Sequence, residues 1–217
     1  MIKRIRELVN TFVTDEEQEQ ASNGDKRVIL IDPRAMEEEE PEPEFKMLGL
    51  FAEVVEEKIA ELAHALVYIN EVNLLKKEQP KPVRFYLSTY GGSADDMFAL
   101  YDIMRITRKS TPIHTIGLGK VMSAGVLLLA AGTKGERRIG RNCRVMIHSV
   151  IGGNHGNLHS MINEMEAIEQ LQQMYSDCLV RETKMTKTQL KKMLERKVNV
   201  YLSAEEAVEL GIADIII

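Results

Sequence analysis

The hydroxyl of Ser123 opens an apolar run within GKVMSAGVLLLAAG (119–132), at the junction of a predicted strand and a predicted helix. A serine there presents its hydroxyl at a sharp turn, and the backbone N–H groups that follow lack helical partners. Such N–H groups can stabilise an oxyanion, so the position suits a nucleophile. It suits an N-cap equally well, because serine is a favoured cap. A hydroxyl is a weak nucleophile unless a base takes its proton. Of the five histidines, His148 ends the run RVMIH and so stands at the carboxyl end of a predicted buried strand. Chemistry collects at that edge of α/β sheets. The other four are plainer: His64 falls in an amphipathic helix, His114 faces outward from a strand, and His155 and His159 belong to a glycine-rich connection. Gly91-Gly92, at a third strand end, could bring a further backbone N–H to the site or grip an extended peptide.

The elements that must hold these groups alternate. Val55, Ile59, Leu62, Leu66 and Ile69 recur at helical spacing within 52–76, and Pro80 and Pro82 close that helix. VRFYLS (83–88) reads as a strand, followed by a helix over 93–108 with Met97, Leu100, Tyr101 and Met104. IHTIGLG (113–119) is the next strand, then comes the helix that begins at Ser123, then RVMIHSV (144–150). Helices between buried strands indicate an α/β domain with crossover connections. Beyond it, 158–182 forms a long helix with a stripe of Met161, Met165, Ile168, Leu171, Tyr175 and Leu179. That stripe packs either on its own domain or on another subunit. A terminal helix is expected in 202–214, with Ser203 as N-cap, Glu206 as capping-box partner and Gly211 as the stop.

Composition bounds the function. The 217 residues carry a net charge of −5, with 44% hydrophobic and 28% charged residues, which gives no general affinity for nucleic acid or acidic membranes. No apolar run reaches the roughly 18 residues of a membrane span. Cys143 and Cys178 have neither pairing nor metal spacing, so a reducing cytoplasm is the expected compartment. The composition changes near residue 45. Before it lie a short predicted strand, VILID (28–32), and the acidic run EEEEPEPE (37–44), which self-repulsion and two prolines keep extended.

FYLSTYGGS, then GLGKVMSAGVLLLAAGTKGERRIGRNCRVMIHSVIGGNHG, then YLSAEEAVELGIAD together resemble the proteolytic subunits of Clp proteases, the ClpP family, over 45–217. The resemblance implies an α/β fold of the ClpP/crotonase-like kind, with a handle segment at about 150–182 projecting from a peptidase domain (45–217). Residues 1–44 would form a divergent N-terminal extension with an acidic linker. It implies a serine endopeptidase in which Ser123 is the nucleophile, His148 the general base, and the N–H groups of Gly91 and Ala124 the oxyanion hole. Subunits of this kind form two heptameric rings joined by their handles and receive unfolded polypeptides from an AAA+ unfoldase. The ATP is consumed by that partner, and hydrolysis itself needs no cofactor and no metal.

The chain departs from the family pattern in several places. The third catalytic residue, an aspartate in the family, falls on Asn199 when counted back from Ser203 and Ala204. Asparagine can orient an imidazole but supplies no negative charge, and this exchange in a serine protease costs about 10⁴ in turnover. Glu195 is the nearby acid, with nothing in its spacing to recommend it. Ser88-Thr89-Tyr90 replaces a proline-containing approach to the glycine pair, Val121-Met122 replaces small residues before the serine, and Lys197-Val198 replaces an acid–arginine pair. A weak or inactive subunit that assembles into mixed rings with an active relative is therefore the alternative reading. A crotonase-type enzyme acting on acyl-CoA thioesters is a third; it would build its oxyanion hole from similar amides without needing Ser123 and His148.

Overall fold

The computed structural model describes residues 46–76, 79–153, 155–195 and 198–217, all within the unit Pro43–Ile217. The expected extension over 1–44, with its VILID strand and acidic run, lies outside the described residues.

The order of elements is β1 (Lys46–Leu50), α1 (Glu56–Leu75), β2 (Val83–Thr89), α2 (Ala94–Thr107), β3 (Ile113–Met122), α3 (Ala124–Ala130), β4 (Arg138–Ile139), β5 (Arg144–Ile147), α4 (Leu158–Glu182), α5 (Lys187–Leu194), β6 (Val200–Leu202), α6 (Ala204–Glu209) and β7 (Ile215–Ile216). The sheet runs β1-β2-β3-β4-β7, and β5 pairs with the far end of β3 and with β6. All pairings are parallel except β5–β6. Helices α1, α2 and α3 carry the crossovers that parallel neighbours require.

The core gathers where these helices meet the sheet. On α1, Ile59, Leu62, Leu66 and Ile69 are buried, whereas Val55 stands at the N-cap, 41% exposed, so the stripe starts one turn later than its spacing suggested. Met97, Leu100, Tyr101 and Met104 of α2 are buried as their period predicts. Every residue of α3 is buried, which explains a short helix that is apolar all round. The terminal helix has the expected capping box between Ser203 and Glu206, and Gly211 follows its end.

Two differences bear on the site. The second predicted strand continues through Lys120-Val121-Met122, because Gly119 turns the backbone (φ +64°) and the strand changes partner there. Ile116 and Gly117 pair with β4, whereas Lys120, Val121 and Met122 pair with Arg144, Val145 and Met146 of β5. Separately, α5 was not expected from the sequence. Its Thr186/Gln189 capping box was a legible start signal, but only Leu190 and Leu194 are buried, too few to make an apolar period stand out. Strands β4 and β7, of two residues each, are too short to show alternation.

Helix α4 is divided along its length. Tyr175, Cys178 and Leu179 near its C-terminal end are buried, while Leu158, Met161, Ile162 and Met165 in the first turns are exposed. Only the last part of the predicted stripe therefore packs on this chain.

Candidate active site

Ser123 joins β3 to α3 with φ +53° and ψ −122°, and among the described residues it is the one non-glycine at positive φ. Such backbone costs about 1–3 kcal/mol and persists only where its surroundings enforce it. Three contacts do so. The Ser123 N–H donates to the Met146 carbonyl at 2.8 Å, and the Ser123 carbonyl accepts from the Val126 N–H and from the Tyr175 hydroxyl, both at 3.0 Å. The side chain caps nothing in α3. Its Oγ is instead 2.8 Å from Nε2 of His148.

His148 is the first residue beyond β5, whose Lys120–Arg144 to Met122–Met146 register against β3 brings the two strand ends level. Burial pushes the imidazole below its ordinary pKa, which favours the neutral form that can accept a proton. The segment after it is fastened to α4 by the Val150 N–H, which donates to Gln172 Oε1 at 2.7 Å.

The glycine pair lies beside the serine. A Cβ on Gly91 (φ +100°) would stand 2.6 Å from Ser123 Cβ and 3.1 Å from the Ala124 nitrogen, so only glycine allows this approach. The Gly91 N–H, however, donates to Thr89 Oγ1 at 3.0 Å. Gly92 forms a parallel bridge with Val54 through the Gly91 carbonyl and the Ser93 N–H, and its own N–H takes no part in that bridge. Gly92, Ser123, Ala124 and His148 line one open cleft of about 340 Å³, with Met97, Ile151 and Tyr175 as apolar walls. Ala124, as the first residue of α3, has an N–H with no helical acceptor. The site thus brings Ser123, His148 and Ala124 together, with Gly92 beside them. Gly92 was legible only as the second member of the glycine pair. Tyr175 was legible only as one residue of an apolar stripe.

Asn199 lies just before β6 and is exposed, and among the described residues no hydrogen bond joins it to His148. Glu195 ends α5, exposed, and pairs with Lys191 at 3.5 Å. The remaining histidines lie elsewhere: His64 is exposed on α1, His114 is 3.6 Å from Glu136, His155 is in an exposed loop, and His159 is in the first turn of α4 rather than in the connection. Among the described residues no group of His, Cys, Asp or Glu has metal-holding geometry, and no helix is long and apolar enough to cross a membrane.

The family model for Clp protease matches residues 47–217. The chain belongs to the Clp protease family. Two relatives within the Clp protease family show how divergent it is. It is 30% identical over 197 residues to the ATP-dependent Clp protease proteolytic subunit 1 of Prochlorococcus marinus (strain MIT 9312), an alignment covering 90% of this chain and 92% of the relative. Against the protein of the same name from Prochlorococcus marinus subsp. pastoris (strain CCMP1986 / NIES-2087 / MED4), identity is 29% with the same coverage. The Clp protease match covers every element from β1 to β7 apart from the first residue of β1, so the α/β architecture and the cleft both fall inside it.

Proposed function

We propose that the chain is a serine endopeptidase subunit of a Clp-type protease, with Ser123 as nucleophile and His148 as general base. The observation that carries this reading is the 2.8 Å contact between Oγ and Nε2 at a serine whose backbone is strained and whose hydroxyl caps no helix. A serine kept only as a cap would leave its side chain on the helix terminus.

In the reaction, neutral His148 takes the Ser123 proton as Oγ attacks the scissile carbonyl. The oxyanion that forms is held by the N–H of Ala124 and, in place of the occupied Gly91 amide, by that of Gly92. His148 then protonates the leaving amine. Water, deprotonated by the same imidazole, cleaves the acyl-enzyme and restores Ser123. As a base, Nε2 carries no proton, so Nδ1 does; Asn199, the next residue out on the strand paired with β5, is the group proposed to accept from it. An amide oxygen orients the ring without stabilising imidazolium, which makes this a slow triad. No metal or cofactor enters any step.

Substrates would be unfolded polypeptides, delivered by an AAA+ unfoldase that consumes the ATP. The exposed Leu158, Met161, Ile162 and Met165 on α4 support assembly through this helix into paired heptameric rings, homomeric or mixed with a related subunit. Two buried, unpaired cysteines accord with a cytoplasmic setting. The uncharged Asn199 favours one second reading, a weak or inactive subunit in mixed rings.

A fluorophosphonate probe separates the two. Labelling of the wild-type chain and not of Ser123→Ala supports the peptidase. A folded, assembled wild type that takes no label would leave only the inactive-subunit reading.

A further inference from the structure

The phenolic hydroxyl of Tyr175 reaches 52 residues back along the chain to the Ser123 carbonyl, at 3.0 Å. That carbonyl belongs to the same peptide group as the Ala124 N–H. The group is planar and trans, so its carbonyl and its N–H point in opposite directions and cannot be set independently. The Val126 N–H occupies the carbonyl from within α3, but a single donor leaves the plane free to rock about the Ser123–Ala124 axis. A second donor from α4 removes that freedom. It also withdraws electron density through the amide, which makes the N–H at the other edge a stronger donor. The restraint matters here because Ser123 is held at φ +53°, where relaxation would swing this peptide.

Tyr175 is itself 4% exposed, and its ring forms part of the cleft wall. A leucine would fill the same space, and a phenylalanine would fill it with nearly the same shape. The apolar stripe of α4 therefore accounts for the ring but not for the hydroxyl.

We infer that Tyr175 is a positioning residue for the oxyanion hole: its hydroxyl, by holding the Ser123 carbonyl, aims the Ala124 N–H at the developing oxyanion. This rests on the serine peptidase reading and adds to it a residue on a different helix. It requires that removing the hydroxyl weaken the transition state while leaving substrate binding nearly intact, since the hydroxyl is engaged by the Ser123 carbonyl and the ring is kept.

The test is Tyr175→Phe in the full-length protein, assayed with a fluorogenic peptide and a peptide boronic acid whose tetrahedral adduct places an oxygen in the oxyanion hole. Turnover is counted per fluorophosphonate-titrated Ser123, so any misfolded fraction drops out. The expected result is a fall in kcat of about two- to twelvefold with KM changed less than twofold, the range for one neutral hydrogen bond. Boronate affinity should fall by the same factor as kcat/KM. Unchanged kcat per titrated site, or a lower kcat with undiminished boronate affinity, overturns the inference and leaves the peptidase reading standing. A wild type that neither labels nor turns over peptide overturns both.

Discussion

Ile147 faces Val200 across the antiparallel β5–β6 pair, and the next residue out on each strand is His148 and Asn199. By register Asn199, an amide rather than a carboxylate, is the neighbour of His148 on the paired strand, although among the described residues no hydrogen bond joins the two. Burial moves the His148 pKa down. Asn199→Asp should therefore raise both peptide hydrolysis and the imidazole pKa, because a carboxylate stabilises the imidazolium that forms during attack. The gain has an upper bound of about 10⁴. Steady-state kcat/KM of the two proteins checks it; an equal or lower rate in the variant would mean that Asn199 does not serve this ring.

The pH dependence follows from the same group. A base works only unprotonated, and burial places the His148 pKa below 6.5. Activity should be full at neutral pH and fall as the pH drops through that lowered pKa, giving an acid limb below 6.5. In Asn199→Asp the limb should move to higher pH. A kcat/KM profile measures both positions. His148→Gln should lose about 10²–10⁴ in kcat at every pH, the usual contribution of general acid–base catalysis.

Stability near the chain end depends on one ion pair. Arg137 is almost fully buried, and its Nε donates to Asp214 Oδ2 at 2.7 Å while Nη1 donates to the Glu182 carbonyl at 2.8 Å. Burial by itself would raise the Asp214 carboxyl, but the hydrogen bonds and charge of Arg137 outweigh it and hold the group below the usual carboxylate range. Asp214→Ala strands a buried guanidinium and should cost about 3–5 kcal/mol in urea unfolding at pH 7. Because the folded pKa is depressed, this stabilisation is present above the ordinary carboxylate pKa and is lost as the pH falls through the lowered one. Wild type and variant should accordingly converge in stability at strongly acid pH.

Assembly should depend on the outer turns of α4. Met165 is 63% exposed and Met161 44%, on a helix whose other end is buried in its own subunit. Met161→Glu with Met165→Glu should lower the particle mass seen by light scattering while leaving the fold intact by circular dichroism. A particle of wild-type mass would remove this face from the assembly.

The sequence alone was enough for the alternation of helices and strands, the buried faces of α1 and α2, the terminal capping box, and the candidacy of Ser123 and His148. Each is carried by a local period, a cap or a strand end, and these depend on neighbouring residues only. What it left open at Ser123, where the hydroxyl points, turned on a φ of +53° and on a 2.8 Å approach to a histidine 25 residues away, and neither a torsion nor a distance has a signature in residue type. The same holds for the Gly91 amide, which is turned to Thr89, and for Tyr175, whose ring was legible in a stripe while its hydroxyl was not. Only tertiary structure decided these, because the direction of an N–H or O–H is set by backbone torsions and by partners that folding brings in from other elements. A spacing pattern records which side chains are buried, not where their polar atoms point.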